Sequence, residues 1–189
     1  MQNHTRSYQL GQMGTMGVVL LMLSSLICSH AAADPRPIPN PAITGDTVIL
    51  VPNHDVYFVK INGVPRGRRQ APFGSGGECP LQTTVNSPWP IETTIVLRKS
   101  ITLPAGASNL QVLLSVDNDV QVFLNDNIGP AIALTPVSVI HGGCPLVDEF
   151  LFTAPNSAIS SGGTFSLVIQ ATDRGVESYL DLRVLVDMP

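Results

Sequence analysis

The sequence predicts an all-β domain, an antiparallel β-sandwich of two packed sheets. Short segments in which apolar and polar residues alternate recur after residue 43, and this period of two is typical of strands with one buried face. Turn-forming Gly, Pro, Asn and Asp residues separate these segments, and no long segment of helical period follows residue 43. Eight or nine short strands of this kind favour a sandwich or jelly roll.

The predicted strands follow from this alternation in chain order. They are 47–52, 56–62, 93–103, 110–116, 120–124, 137–140, 148–153, 165–171 and 180–186. The apolar residues of each alternating strand are expected to face the core. The polar residues between them are expected to face water, as with Gln111, Ser115 and Asp117 on one strand and Asp181, Arg183 and Asp187 on the last.

The N-terminus predicts export. Residues 17–27 form an apolar segment too short for a stable membrane span, and Ala31-Ala32-Ala33 offers a small-residue cleavage site. We therefore expect a signal peptide at 1–33, a proline-rich spacer at 34–43 and a β-sandwich domain at 44–189, in a secreted, periplasmic or cell-surface protein. The alternative is an uncleaved N-terminal anchor. No later segment is long and apolar enough for a transmembrane helix, so no membrane insertion of the mature chain is expected.

Two cysteines, Cys79 and Cys144, remain after removal of the signal peptide. An even pair in an exported protein most often forms a disulfide. A zinc site is the alternative, because His141 lies three residues before Cys144. The set lacks the second cysteine or histidine pair of the usual zinc motifs, so the disulfide is favoured.

The charge balance disfavours some partners. The chain has 10 Lys and Arg residues and 14 Asp and Glu residues, and Arg6 in the predicted signal peptide is one of the ten, which leaves nine against 14. A nucleic acid or an anionic membrane surface would require an excess of basic residues, so neither is expected as a partner. The one basic cluster, Arg66-Gly67-Arg68-Arg69, is predicted to lie in a solvated loop, with an anion contact or a protease-sensitive site as the alternatives.

Two segments carry a resemblance to a known family. One is the hairpin Val116-Asp117-Asn118-Asp119-Val120-Gln121-Val122-Phe123-Leu124-Asn125, and the other is Ala171-Thr172-Asp173-Arg174-Gly175 followed by Ser178-Tyr179-Leu180-Asp181. Residues 90–187 thereby resemble the galactose-binding-like jelly rolls, which occur as carbohydrate-binding modules, although Asp126 stands where that family usually has glycine. The resemblance implies binding of carbohydrate or a cell-surface glycan and carries no catalytic motif.

The order of the strands predicts which loops share one end of the sandwich. If each strand crosses once and the chain then reverses, loop 63–90, the turn at 117–119, the segment 141–144 and the turn at 173–177 lie at the same end. This arrangement brings the two cysteines together, as a disulfide requires. Binding sites usually lie in loops on a rigid scaffold, so this end is the candidate site.

The candidate ligand-binding residues at this end are Trp89, Asp117, Asn118, His141 and Arg174. Trp89 lies between two prolines and offers a flat apolar face to a sugar ring, or else it fills the core. Asp117, Asp119 and Asp173 are candidate calcium ligands because Ca²⁺ prefers carboxylate oxygens, or else they are ordinary turn residues. No cofactor other than calcium is expected.

These observations favour a non-catalytic binding module whose expected ligand is carbohydrate, with calcium as a stabilising ion. The alternative is a structural or adhesion domain that contacts another protein. An enzyme is not expected, because His54 and His141, the histidines after residue 33, fall at opposite ends of the predicted sandwich. The chain also lacks the nucleophile-elbow, zinc-protease and phosphate-loop motifs.

Overall fold

A computed structural model describes residues 46–126 and 129–189 of the chain. The predicted signal peptide and spacer, and the first residues of the predicted domain, lie outside the described residues. The strands are β1 (Thr47–Val51), β2 (Val56–Ile61), β3 (Val64–Gln70), β4 (Phe73–Gly74), β5 (Ser87–Pro88), β6 (Thr94–Leu103), β7 (Ser108–Asp117), β8 (Asp119–Asn125), β9 (Ile132–Ala133), β10 (Val139–Ile140), β11 (Phe150–Thr153), β12 (Gly163–Thr172) and β13 (Tyr179–Asp187). Helix α1 covers Asn156–Ile159, and a short 3₁₀ helix covers Pro80–Thr84. Neither helix is long and apolar enough to cross a membrane, and the same holds for every helix in the described part of the chain.

The strands form two sheets that pack face to face. Sheet A has the order β11-β7-β13-β4-β5, with β1 also paired to β13. Sheet B has the order β10-β8-β12-β6-β2-β3, with β9 also paired to β8. The pairings are antiparallel except for the short parallel pair β4–β5. The predicted antiparallel β-sandwich is confirmed, and the two-sheet arrangement is compatible with a jelly roll.

The inward side chains of the two sheets form one hydrophobic core. Leu97 and Leu167 of sheet B and Leu114 and Leu182 of sheet A belong to it, each with no exposed surface. The alternation in the sequence predicted these inward positions, and all nine predicted strands are present. Full burial of such a side chain stabilises the fold by about 1.5–3 kcal/mol. A one-residue slip would turn the whole set outward, so this burial also fixes the register.

Strand β3 corrects the prediction for the basic cluster. Arg66-Gly67-Arg68-Arg69 lies on this edge strand rather than in a loop, and all seven residues of β3 are exposed. The hairpin from β2 turns at Asn62 and Gly63, both with positive φ (48° and 77°), as a tight two-residue hairpin turn requires. The sequence analysis missed the strand because it has no buried face and therefore no apolar alternation.

The outer face of sheet A also differs from the prediction. Five residues that were expected to face water there are at most 9% exposed: Gln111, Ser115, Asp117, Asp181 and Asp187. Loops fold over this face. The Asp148 backbone N–H donates to Ser115 Oγ (3.0 Å), the Asp148 carboxylate pairs with Arg183 (2.5 Å), and Asn53 Nδ2 donates to Asp181 Oδ2 (3.1 Å).

Candidate functional site

The loops predicted to share one end of the sandwich are in contact. We call this the loop end and define it as segments 75–93, 117–119, 141–149 and 173–178. The Glu92 N–H donates to Asp173 Oδ2 (2.6 Å), and the Arg174 N–H donates to Asn118 Oδ1 (2.7 Å). These bonds join three of the four segments, which confirms the predicted grouping.

The grouping holds even though the sequence analysis omitted β3 and β4. Strand β3 runs antiparallel to β2 and carries the chain away from the loop end. Strand β4 runs antiparallel to β13 and returns the chain to it. Two additional crossings are an even number, so the end at which every later loop arrives is unchanged.

The predicted disulfide between Cys79 and Cys144 is present, with a Cα–Cα distance of 5.4 Å. It ties segment 75–93 to segment 141–149. Both thiols are consumed by the bond, which rules out the alternative zinc site built on them. The third residue considered for zinc, His141, is instead engaged by Glu149.

Trp89 does not offer a binding face. The side chain belongs to the hydrophobic core and has no exposed surface, and its backbone C=O accepts a hydrogen bond from the Ser178 hydroxyl. The prediction of a sugar-stacking platform is therefore wrong, and the alternative that Trp89 fills the core is right. The indole packs inward because β5, the two-residue strand before it, pairs with β4 at the edge of sheet A and aims the following residue between the sheets.

Asp117 and Asn118 connect the loop end internally. The Asp117 carboxylate is 7% exposed and accepts hydrogen bonds from Gln82 Nε2 (3.3 Å) and from Asn118 Nδ2. Burial, together with the nearby carboxylates of Asp173 and Glu177, raises the pKa of Asp117 to about 7. Gln82 was not singled out from the sequence, and its position in a loop of small and polar residues gives no signal of this contact.

The three candidate calcium ligands have separate partners. Asp119 forms an ion pair with Arg174 Nη2, while Asp173 Oδ2 accepts from two backbone N–H groups, those of Glu92 (2.6 Å) and Gly175 (3.3 Å). Asp117 is bonded to side-chain amides. Within residues 46–126 and 129–189, no group of three His, Cys, Asp or Glu side chains could hold a metal ion. Calcium binding by these aspartates stays a prediction.

His141 is 6% exposed and is buried within the loop end rather than lying in an open site. Its Nε2 is 3.1 Å from Glu149 Oε1, its ring packs edge-on against Phe150 with 5.6 Å between ring centroids, and its backbone C=O accepts from Asn118 Nδ2 (3.3 Å). These contacts give His141 a role in holding segment 141–149. Its access to a ligand is closed by the same contacts.

An open pocket of about 280 Å³ lies where the loop end meets the outer face of sheet B. Its lining residues come from β8, β10 and β12 and the turn after β12: Asp119, Val120, Gln121, Ser138, Val139, Ile140, Gln170, Thr172 and Arg174. Arg174, one of the predicted ligand-binding residues, thus lines this pocket. Asp119 lies beside it.

The sequence contained part of the signal for this pocket. Gln121 and Gln170 alternate with buried residues and were expected to face water, and they are cross-strand partners on adjacent strands. The contribution of β10 could not be predicted in detail, because only Val139 and Ile140 pair with β8. A two-residue pairing leaves no periodic pattern in the sequence.

Comparison with known proteins does not identify a family for the chain. No protein-family model matches the chain, and no match to it is found among curated proteins.

Proposed function

We propose that the protein is a non-catalytic carbohydrate-binding module and that its ligand occupies the pocket between β8, β10 and β12. The observation that carries this proposal is the composition of the pocket, in which amide, hydroxyl and charged side chains surround an apolar side chain. Binding sites for small polar ligands combine a few placed polar groups with apolar walls. A sugar ring presents the complementary mixture of hydroxyl and C–H groups.

The polar floor of the pocket supplies both donors and acceptors. Gln121 and Gln170 lie directly opposite each other across β8 and β12, and each amide has two N–H donors and a carbonyl acceptor. Ser138 and Thr172 add hydroxyl groups at the margin. Ile140 is 69% exposed and provides the apolar wall. This arrangement suits adjacent sugar hydroxyls, which donate and accept at the same time.

Arg174 and Asp119 form the charged rim of the pocket. The Arg174 side chain is 65% exposed while paired with Asp119, so its remaining N–H donors face solvent. The ion pair fixes the guanidinium in place, and a positioned guanidinium can donate to two ligand oxygens at once. The rim therefore adds a directional contact to the hydrogen bonds of the floor.

The same geometry supports binding without catalysis. Glycoside hydrolysis uses two carboxyl groups that flank the scissile bond, whereas Asp119 is the single carboxylate lining this pocket and is neutralised by Arg174. The neighbouring pair His141–Glu149 is buried beneath the loop end. Export is part of the proposal, and the Cys79–Cys144 disulfide supports it because such bonds persist in oxidising compartments.

Binding of the purified chain to a panel of neutral glycans, together with the variants Gln121→Ala and Gln170→Ala, tests the proposal. We expect saturable binding to at least one glycan and a loss of about tenfold in affinity in each variant, equivalent to about 1.4 kcal/mol. Thr102→Ala is the matched control, because Thr102 is exposed on the same face of sheet B but outside the pocket. Its affinity should be unchanged. A folded chain that binds no glycan would contradict the proposal.

A structural or adhesion role is the second candidate, and one observation favours it. Six of the ten exposed large apolar residues in the described part of the chain lie on or beside the loop end: Ile91, Val137, Ile140, Leu146, Val147 and Val176. Exposed apolar surface often marks a protein contact. A stable oligomer in light scattering that Val147→Ser and Val176→Ser dissociate would support this role. A monomer at the highest soluble concentration would argue against self-association.

A further inference from the structure

The cations of the described chain divide into two groups. Three have carboxylate partners: Lys99 with Asp55 (2.7 Å), Arg174 with Asp119, and Arg183 with Asp148 (2.5 Å). The other five form no ion pair among the described residues, and all are exposed: Lys60, Arg66, Arg68, Arg69 and Arg98. All five lie on β2, β3 and β6, three adjacent strands of sheet B that contain no acidic residue.

This positive charge lies on a protein whose net charge is negative. The predicted mature chain has nine Lys and Arg residues and 14 Asp and Glu residues. We call the region formed by Phe58, Lys60, Arg66, Arg68, Arg69 and Arg98 the basic surface. Its local field is opposite in sign to the net charge of the protein, so it attracts anions that the rest of the molecule repels.

The basic surface has a regular geometry. Phe58 of β2 lies opposite Arg68 of β3 on one side and opposite Arg98 of β6 on the other. The two arginines are therefore separated by two strand spacings, about 10 Å. Phe58 lies between them, 62% exposed, with Arg68 Cζ 5.8 Å from its ring centroid. The row therefore presents one guanidinium group on each side of an apolar ring.

The basic surface continues around the edge of the sandwich. Arg66 and Arg69 line a groove of about 310 Å³ whose floor includes the apolar side chains of Val59, Phe73 and Pro88. Cations thus flank strand β3 on both of its faces. A long, flexible anion can contact both groups at once, whereas a small anion can contact only one.

Protection of an exposed sheet edge explains only part of this arrangement. Charged residues on an edge strand prevent pairing with another chain, and this accounts for Arg66, Arg68 and Arg69 on β3. Lys60 and Arg98 lie on β2 and β6, which are paired on both sides and have no open edge. Their placement around the exposed Phe58 ring requires another explanation.

We propose that the basic surface binds an anionic polysaccharide, with carboxylate or sulfate groups held by Arg68, Arg98 and Lys60 and a sugar ring packed on Phe58. Guanidinium groups bind such anions through two parallel hydrogen bonds. Nucleic acid is disfavoured because the proposed export, which the Cys79–Cys144 disulfide supports, places the protein outside the compartments that hold nucleic acid. This inference rests on the proposed carbohydrate-binding function and adds to it a second, separate surface for charged glycans.

Binding of the full chain to dextran sulfate and to uncharged dextran tests the inference, with alginate as the carboxylate counterpart. We expect binding to dextran sulfate, alginate or both, no binding to dextran, and weakening of each complex as ionic strength rises. The double variant Arg68→Gln/Arg98→Gln should lose at least about tenfold in affinity. Arg68→Lys/Arg98→Lys, which keeps the charge, should lose less. Ser100→Ala, on the same exposed face of β6, is the matched control and should bind normally.

Several results would overturn the inference. These are equal binding to dextran, unchanged affinity of the glutamine double variant, no binding to either anionic polymer, or equally tight binding of duplex DNA that the same double variant abolishes. The pocket variants Gln121→Ala and Gln170→Ala separate this inference from the proposed function. If these variants abolish binding of neutral glycans while the wild type binds no anionic polymer, the inference is contradicted. The proposed function of the pocket then still stands. Unfolding midpoints show whether each variant remains folded.

Discussion

The environment of Asp117 differs from what its position in the sequence suggests. It ends a strand and begins a turn, a position usually open to water, yet the segment from Pro80 to Thr84 covers it and Gln82 bonds to it. Burial comes first among the causes that raise its pKa to about 7 from an ordinary value of 3.8. Its carboxyl group is consequently more stable in the protonated form in the folded protein than in the unfolded chain.

This shift predicts how stability depends on pH. A carboxyl whose folded pKa is raised binds its proton more tightly when folded, so its contribution to stability is complete below pH about 4 and is lost as the pH rises through about 7. Between pH about 5 and about 8.5, the wild type should lose roughly 2 kcal/mol more unfolding free energy than Asp117→Asn, measured by urea denaturation. Glu92→Gln, at an exposed position of the same end, is the control. Equal pH dependence of wild type and Asp117→Asn would refute the assignment.

The side chain of Trp89 shows what single-residue patterns cannot decide. Its two flanking prolines indicate an extended segment but leave open whether the ring points inward or outward. Orientation depends on the pairing of β4 with β5, a contact of two residues on each strand. The burial of His141 could not be predicted for a similar reason. It depends on contacts with Glu149 and Phe150, and no local motif indicates them.

At the scale of elements, the strands that bury one face were predictable and the others were not. Strands β6 and β12 pair over ten residues, and the apolar half of each lies in the core. Strand β3 has no buried residue, while β4, β5 and β9 have two residues each, too few for a periodic pattern. Alternation of apolar and polar residues indicates that one face of a strand is buried against a core. A strand without a buried face therefore has no such pattern in its sequence.

The disulfide joins two segments that have little regular structure, 75–93 and 141–149. The bonded cysteines are 65 residues apart, and closing a loop of that length restricts the unfolded chain. Cys79→Ser/Cys144→Ser should therefore lower the unfolding free energy by about 4 kcal/mol in the chain-entropy estimate. Urea denaturation of the variant and of the reduced wild type should give matching losses. A loss below about 1 kcal/mol in both would show that the hydrogen bonds of the loop end hold these segments without the bond.

At the scale of the whole molecule, strand order predicted where the loops meet. Counting crossings placed both cysteines and the turns at 117–119 and 173–177 at one end, and the disulfide and the Arg174–Asn118 bond confirm it. Counting could not show that Trp89, Asp117 and His141, which lie at this end, are buried. An open pocket lies beside this end, on the outer face of sheet B, where β10 and the Arg174 turn build a rim around Gln121 and Gln170.

The amide NMR spectrum of the protein, titrated with the best-binding glycan of the panel, tests the central claim most directly. The claim is that the pocket of sheet B, rather than the predicted Trp89 platform, receives the sugar. We expect shifts concentrated at residues 119–121, 138–140, 170, 172 and 174, which line the pocket. Shifts confined to the loop end around Trp89, at 88–91 and 176–177, would contradict it. Shifts confined to the opposite end of the sandwich, at 104–108 and 155–163, or no shifts with any glycan, would contradict it as well.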